Sequence, residues 1–485
     1  MISVPNHRQP LNGNKAIYLI FMMVFFGSCS ASKRVVVDKD TQIVNAEPTV
    51  PKSKTDPADE KKERDDQHKV NKNQAENSRD IKVKVKVDTL KWEDISDKNK
   101  PITVKQKQKV VFAEGLDMKD EYNIKLLIPL NSDELSNPME SRFVHFYAGA
   151  LKALELLDEE DIKLNVQVID TEEGNYKVSE NIGMILSENT DLVIGPFERD
   201  DVKLLAEECK IKSVPLVSPW QTSTKITNEN PYYVQMKPNL KEHFMKLNEN
   251  AVADYQKGEV VIIGKNNKET ASWVEYFQDA AASSVNIKDF YTTYFVSTDS
   301  LNTGPTAFSR MFKNTKVKAV ILPNYSYTDE DFIYACLRKL SAEKSGRNIS
   351  VYGMPILYDS DKIDFDFYSA LQMKVVMSDF VDVDQGKIRE FRRNYLDMYG
   401  EIANSDAVKG YDLMLYLGRN LWKYGRNFQY YLEQEATSYL QSVYDIRKAR
   451  SEDSPVMNDP EKFDFFENKH LDIIEFKGNK WERKK

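Results

Sequence analysis

Side chains able to do chemistry are present in this sequence but are not arranged to do it together. The five histidines, His7, His68, His145, His243 and His470, show no His-x-x-x-His or His-x-x-Glu spacing, so no pair would share a helical face to hold zinc. No Gly-x-Ser-x-Gly lifts a serine onto a strand-to-helix elbow, and no Gly-x-x-x-x-Gly-Lys-[Ser/Thr] offers a phosphate loop. Gly195 follows an apolar run, but one glycine does not make a nest of backbone N–H groups. Asp329-Glu330-Asp331 reads as a helix start, where negative charge favours the dipole, and Glu159-Glu160-Asp161 as a solvated turn. Cys209 and Cys336 fall in helical stretches far apart in the chain and are expected as small buried residues, not as a disulfide. With no nucleophile, base and orienter to assemble, no enzyme, metal or cofactor is expected.

The elements that must position any remaining functional groups occupy only part of the 485 residues. The chain carries 68 Lys+Arg against 76 Asp+Glu, a net charge of −8, which argues against sequence-independent nucleic-acid binding, since that needs a basic footprint. Its one long apolar run, 16–26, has 11 residues, short of the roughly 20 needed to span a bilayer. With His7, Arg8 and Lys15 before it and Gly27-Ser28-Cys29 after it, this run reads as the h-region of a secretory signal over 1–29. Phe26-Gly-Ser-Cys29 resembles a bacterial lipobox, with Phe26 in place of the usual leucine. The resemblance implies lipidation of Cys29, and two or more acyl chains would hold the protein at a membrane surface. Ser30, with no acidic residue directly after it, suits an outer-membrane lipoprotein facing the periplasm.

Residues 30–121 are rich in Lys, Asp, Glu, Asn and Gln, and 51–66 lack any large apolar side chain. Such a segment cannot bury enough surface to offset its conformational entropy and reads as a disordered tether, with a coil reach on the order of 50 Å. Within it, Ile81-Lys-Val-Lys-Val-Lys-Val87 alternates with period two, the signature of a strand with a lysine face.

From Tyr122 onward, short apolar runs at 124–130, 164–169, 191–195, 214–218, 259–263, 318–322, 349–352 and 373–379 recur. Between them lie amphipathic stretches at 142–158, 176–188, 200–210, 240–257, 268–284 and 329–343, with two more at 385–399 and 406–423. In the first, Phe143, Tyr147, Ala150, Leu151, Leu154 and Leu157 share one face. Strands alternating with helices predict an α/β fold with mostly parallel sheets covered on both faces. The series breaks near Trp220 and restarts near Leu240, which predicts two lobes: 122–235 with 381–450, and 236–380 with 451–485. The tail reads as a helix over 430–440 and a strand over 471–476. Two such lobes place a cleft at the carboxyl ends of both sheets, and Trp220, Tyr325 and Tyr358 fall at its edges.

Residues 122–425 resemble the type 1 periplasmic binding proteins, the fold of branched-chain amino-acid-binding proteins and receptor ectodomains. The resemblance lies in 124–130, Phe146-Tyr-Ala-Gly-Ala-Leu-Lys-Ala153, Asp191-Leu-Val-Ile-Gly-Pro196, Val214-Pro-Leu-Val-Ser-Pro219 with Thr222, 232–238 and Gly410-Tyr-Asp-Leu-Met-Leu-Tyr416, in that order. With the lipobox-like signal and tether, the chain is most similar to a Bacteroidetes lipoprotein group of this fold, though no LysM repeat is present. The resemblance implies a ligand between the lobes. Ser218 and Thr222 match the loop that holds a carboxylate in amino-acid-binding members, while the preceding loop reads Pro196-Phe197-Glu198-Arg199-Asp200. Glu198 would repel a carboxylate there unless Arg199 compensates. On the second lobe, Asn324-Tyr325 stands where the family places an aromatic. The acid expected to hold an ammonium is missing, with Asp359 as the one candidate, beside Tyr358. A free α-amino acid is therefore disfavoured, and a less charged solute, or none, is expected. The implied partners are a small solute and an ABC-type permease or, if the cleft is degenerate, a protein of cell-wall synthesis that this lipoprotein would regulate or scaffold.

Overall fold

The computed structural model describes residues 118–130, 138–172, 176–267, 271–272, 274–279, 290–434, 436–455 and 462–484. The signal, Cys29, the tether as far as residue 117 and the expected strand at 81–87 lie outside the described residues, while Lys119, near the end of the expected tether, pairs with Asp191 at 2.7 Å.

The first sheet begins with β1 (Tyr122–Ile128), β2 (Leu164–Asp170), β3 (Leu192–Ile194), β4 (Leu216–Ser218) and β5 (Tyr233–Gln235). The second holds β6 (Val260–Lys265), β7 (Thr292–Val296), β8 (Ala319–Leu322), β9 (Ser350–Gly353) and β10 (Lys374–Met377). A two-stranded ribbon, β11 (Thr437–Ser438) and β12 (Val443–Tyr444), precedes β13 (Ile446–Ala449), β14 (Phe465–Asn468), β15 (Asp472–Lys477) and β16 (Lys480–Arg483). The strand orders are β13-β14-β5-β4-β3-β1-β2 and β16-β15-β10-β9-β8-β6-β7. Pairing is parallel except where β13 meets β14, β15 meets β10 and β16 meets β15. The central strands are unbroken apolar runs, Val260–Ile263 and Ala319–Leu322 among them, and are buried on both faces, as helical crossovers require.

The helices that cover the sheets include α1 (Pro138–Glu159), α2 (Val178–Ile185), α3 (Arg199–Lys212), α4 (Leu240–Asp254), α5 (Glu330–Glu343), α6 (Gly386–Tyr399) and α7 (Ser405–Tyr424). On α1, Phe143, Phe146, Ala150, Ala153 and Leu157 are buried, while Tyr147, Leu151 and Leu154 are half-buried at the rim. Its partner is α7, and two glycines let the backbones touch. A Cβ on Gly149 would lie 1.8 Å from the Ala407 carbonyl oxygen, and one on Gly410 1.9 Å from that of Phe146.

Three segments cross between the sheets: 236–239 after β5, 378–385 after β10, and 469–471 after β14. The third crossing departs from the predicted boundary. Strand β14 pairs parallel with β5 in the first sheet, so the first lobe runs to about 468 instead of 450. A second departure is the predicted 430–440 helix, replaced by a 3-10 turn at Gly425–Tyr431 and the β11–β12 ribbon. The cause is Asp412, wholly buried on α7, which accepts from the backbone N–H groups of Leu440 (3.1 Å), Gln441 (2.9 Å) and Ser442 (2.8 Å). Those amides are taken by a carboxylate and are not available to a helix.

Candidate functional site

The carboxyl ends of the strands carry the loops that the sequence singled out. After β3 the chain turns through Gly195 at φ +87°, followed by a cis Gly195–Pro196 bond. A side chain at Gly195 would strike the Leu127 carbonyl oxygen at 2.1 Å, so the position needs glycine. This turn delivers Phe197 to Trp220, with ring centroids 6.0 Å apart, and Trp220 also packs on Phe143 (5.4 Å) and Phe146 (5.1 Å). Gln221 Nε2 donates to the Phe197 carbonyl at 2.7 Å and ties the two loops together.

The predicted residues therefore divide. Ser218 and Trp220 are buried in the first lobe, Phe197 is half-buried beside them, and Glu198 and Thr222 are exposed at the rim. On the second lobe Asn324 is buried, and its Nδ2 donates to Asp329 Oδ2 at 2.8 Å. That bond sets the orientation of the amide and leaves Asn324 Oδ1 buried with no partner. Tyr325 is exposed, and Tyr358 packs edge-on against Trp481 (5.5 Å) and Phe380 (6.3 Å).

The charges of the cleft come mostly from residues the sequence reading passed over. Asp379, on the second crossing, is 3.1 Å from Lys237 Nζ on the first crossing and 3.0 Å from Lys409 Nζ on α7. Lys409 also lies 3.6 Å from Asp406. Burial alone would raise the Asp379 carboxyl, but the two ammonium groups outweigh it and hold it well below the usual range. Asp379 in turn raises Lys237 most strongly, yet the neighbouring Lys409, loss of water and Arg142 leave that ammonium below its ordinary value. Lys409 ends above its ordinary value, because Asp379 and Asp406 overcome the cost of burial. Asp359, at the end of the short helix Ile356–Asp359 that follows β9, makes no ion pair with any described residue, and burial pushes its carboxyl up. A lysine among the buried residues of α7 was the one available signal for this cluster, since Lys409 is flanked by the buried Val408 and Gly410.

A second network binds the crossings to one another. Glu467 on β14 is fully buried and accepts from Asn239 N (2.6 Å), Asn239 Nδ2 (3.0 Å) and Lys469 Nζ (2.5 Å). Lys469 reaches on to Glu242 at 2.8 Å. Arg483 on β16 bonds Asp472 at 2.7 Å and donates to the carbonyls of Phe380 (3.0 Å) and Gln441 (3.3 Å).

Among the described residues, no cluster of His, Cys, Asp and Glu is arranged to hold a metal, and no helix is long and apolar enough to cross a membrane. Cys209 and Cys336 are free and buried, in different lobes.

Residues 155–322 match the model of the receptor family ligand binding region. No curated protein matches the sequence. Among solved structures, the chain is similar to a putative branched-chain amino acid ABC transporter protein of Rhodospirillum rubrum, at 14% identity over 75% of this chain and 100% of that one, with a TM-score of 0.55. A branched-chain amino acid ABC transporter periplasmic ligand-binding protein of Burkholderia xenovorans follows at 10% identity, 75% and 94% coverage and a TM-score of 0.51. An ABC transporter substrate-binding protein of Desulfitobacterium hafniense stands at 14%, 75% and 100%, with 0.50. With its two mostly parallel sheets, its three crossings and this likeness, the chain has the two-lobed fold of the type 1 periplasmic binding proteins.

Proposed function

We propose that this protein is a binding protein, not an enzyme, and that it takes a small solute between its lobes from a lipid-anchored position in the cell envelope. The observation that supports the reading most is the unmet polar capacity on both walls of the cleft. Arg142 on the first lobe and Asp359 on the second both lie within electrostatic range of the Lys237–Asp379–Lys409 cluster between them, and Asn324 Oδ1 on the second lobe is buried with no partner. Groups left without partners in a concave site are what a ligand satisfies. A ligand touching both walls would favour the closed arrangement by its differential contacts.

A thermal-shift screen of amino acids, peptides and muropeptides tests this. At a concentration 100 times its Kd a ligand should stabilise the native state by about 2.7 kcal/mol and raise the melting temperature accordingly. A second reading, a regulatory lipoprotein acting on cell-wall synthesis, draws support from the packing of Phe143, Phe146, Phe197 and Trp220. Phe197 and Trp220 occupy the loops where amino-acid-binding relatives would hold a carboxylate, and Phe143 and Phe146 of α1 pack against them. Recovery of a cell-wall synthase from cross-linked cells, with no hit in the solute screen, would favour that reading over the first.

The anchor rests on Phe26-Gly-Ser-Cys29. Cells fed a labelled fatty acid should incorporate it into the unaltered protein and not into Cys29→Ala, which should leave the membrane fraction. Label retained by the variant would remove the anchor from the proposal.

A further inference from the structure

We propose that Arg142 is the anion anchor of the cleft and that it grips the carboxylate of a small organic acid through both arms of its guanidinium. The inference deepens the solute-binding reading and rests on it.

Four cationic or acidic neighbours are already committed to one another. Asp379 serves Lys237 at 3.1 Å and Lys409 at 3.0 Å, and Asp406 lies 3.6 Å from Lys409. Arg142 is left over. Among the described residues its nearest acid is Asp406, at 3.9 Å, beyond hydrogen-bond length, and its guanidinium donates to no described residue. Its side chain keeps 29% of its exposure, so a ligand can reach it.

The group is also held in a defined pose. Its guanidinium carbon stands 5.1 Å from the ring centre of Phe143 and 5.9 Å from that of Phe197. Both rings belong to the aromatic cluster that Trp220 completes. Aromatic faces orient a guanidinium and thin the water around it while leaving its N–H edge free. A planar fork so presented matches a carboxylate, which accepts two parallel hydrogen bonds. Glu198, whose charge argued against a carboxylate at the sequence level, is exposed at the rim, where water and salt screen it. The anchor thus sits on α1, away from the Ser218 and Thr222 loop, and Ser218 is itself buried.

The test compares acids with their amides on the intact mature protein: acetate and phenylacetate against acetamide and phenylacetamide, with inorganic phosphate as a further arm, by calorimetry at constant ionic strength. The acids should bind about tenfold or more tightly than the amides, which match them in shape and lack the charge. Arg142→Gln should lose about tenfold or more for the acids alone, and Arg142→Lys, which keeps the charge and loses the fork, should recover only part of it. Phosphate binding with no carboxylate binding would overturn the assignment, as would equal affinity for acids and amides, or acids bound by Arg142→Gln as by the unaltered protein. Amides bound without the acids would leave the solute-binding reading standing and remove the anchor. No binding in these arms and none in the wider solute screen would remove both. The acid-to-amide comparison needs no variant, so it decides even where Arg142→Gln folds poorly.

Discussion

Asp254, at the end of α4, gathers donors from three other parts of the second lobe. It accepts from Lys484 Nζ at 2.7 Å, from Lys374 Nζ at 2.9 Å and from the Tyr352 hydroxyl. Burial works against its charge, but these three donors outweigh it and hold the carboxyl at about 2. The unfolded chain titrates near 3.9. A folded-state value below the unfolded one means stability that is full above about pH 4 and is lost as the pH falls toward 2. The group is partly open to water, so the contribution is about 1 kcal/mol after screening. Asp254→Asn should therefore be less stable than the unaltered protein at pH 7 and close to it at pH 2. Urea unfolding at the two pH values measures this, and a gap of equal size at both would count against the linkage.

At the scale of elements, what could be read in the sequence follows from how each element is buried. The inner strands announce themselves because a parallel strand covered on both faces must be apolar throughout, as Val260–Ile263 and Ala319–Leu322 are. Strand β7 was hidden because it lies at the sheet edge, where Thr292 and Phe295 stay exposed. Strand β14 was hidden by Glu467, a charge inside a four-residue run whose justification comes from Asn239 and Lys469, neither of which is its neighbour on the strand. The 430–440 stretch has Leu432, Ala436, Tyr439 and Leu440 at helix-like intervals, but Asp412 takes the amides at its end. The same logic governs the cleft. Loops at the ends of β3, β4, β8 and β9 were legible from the strands that precede them. Lys237, Asp379 and Lys409 were not, since a lysine on one crossing and an aspartate on another become a pair only when two crossings are brought side by side. Gly149 and Gly410, both inside segments on which the sequence resemblance rests, acquire a physical reason here: each removes the Cβ that would hold α1 and α7 apart.

For the whole molecule the open question is how freely the lobes move on their three crossings. Hinge closure needs each crossing to absorb a change in backbone angle. Here the crossings are joined by side chains: Glu467 and Lys469 fasten the third to the first through Asn239 and Glu242, and Asp379 fastens the second to the first through Lys237. Glu467 is fully buried, and burial pushes its carboxyl up while Lys469 pulls it back. Removing such a group strands the Lys469 ammonium and the Asn239 amide, at a cost of about 3 kcal/mol. The same loss should free the hinge. With spin labels on Lys212→Cys in α3 and Lys316→Cys ahead of β8, both exposed, the inter-lobe distance distribution should be narrow in the otherwise unaltered protein and visibly broader in Glu467→Ala. Glu467→Gln, which keeps the shape and loses the charge, should fall between the two. If all three distributions coincide while Glu467→Ala is destabilised, the buried glutamate serves the first sheet alone and the lobes are held by other contacts. If they broaden as expected, any solute that closes the cleft does so against a hinge that the crossings themselves have stiffened, and its contacts with both walls must supply the difference.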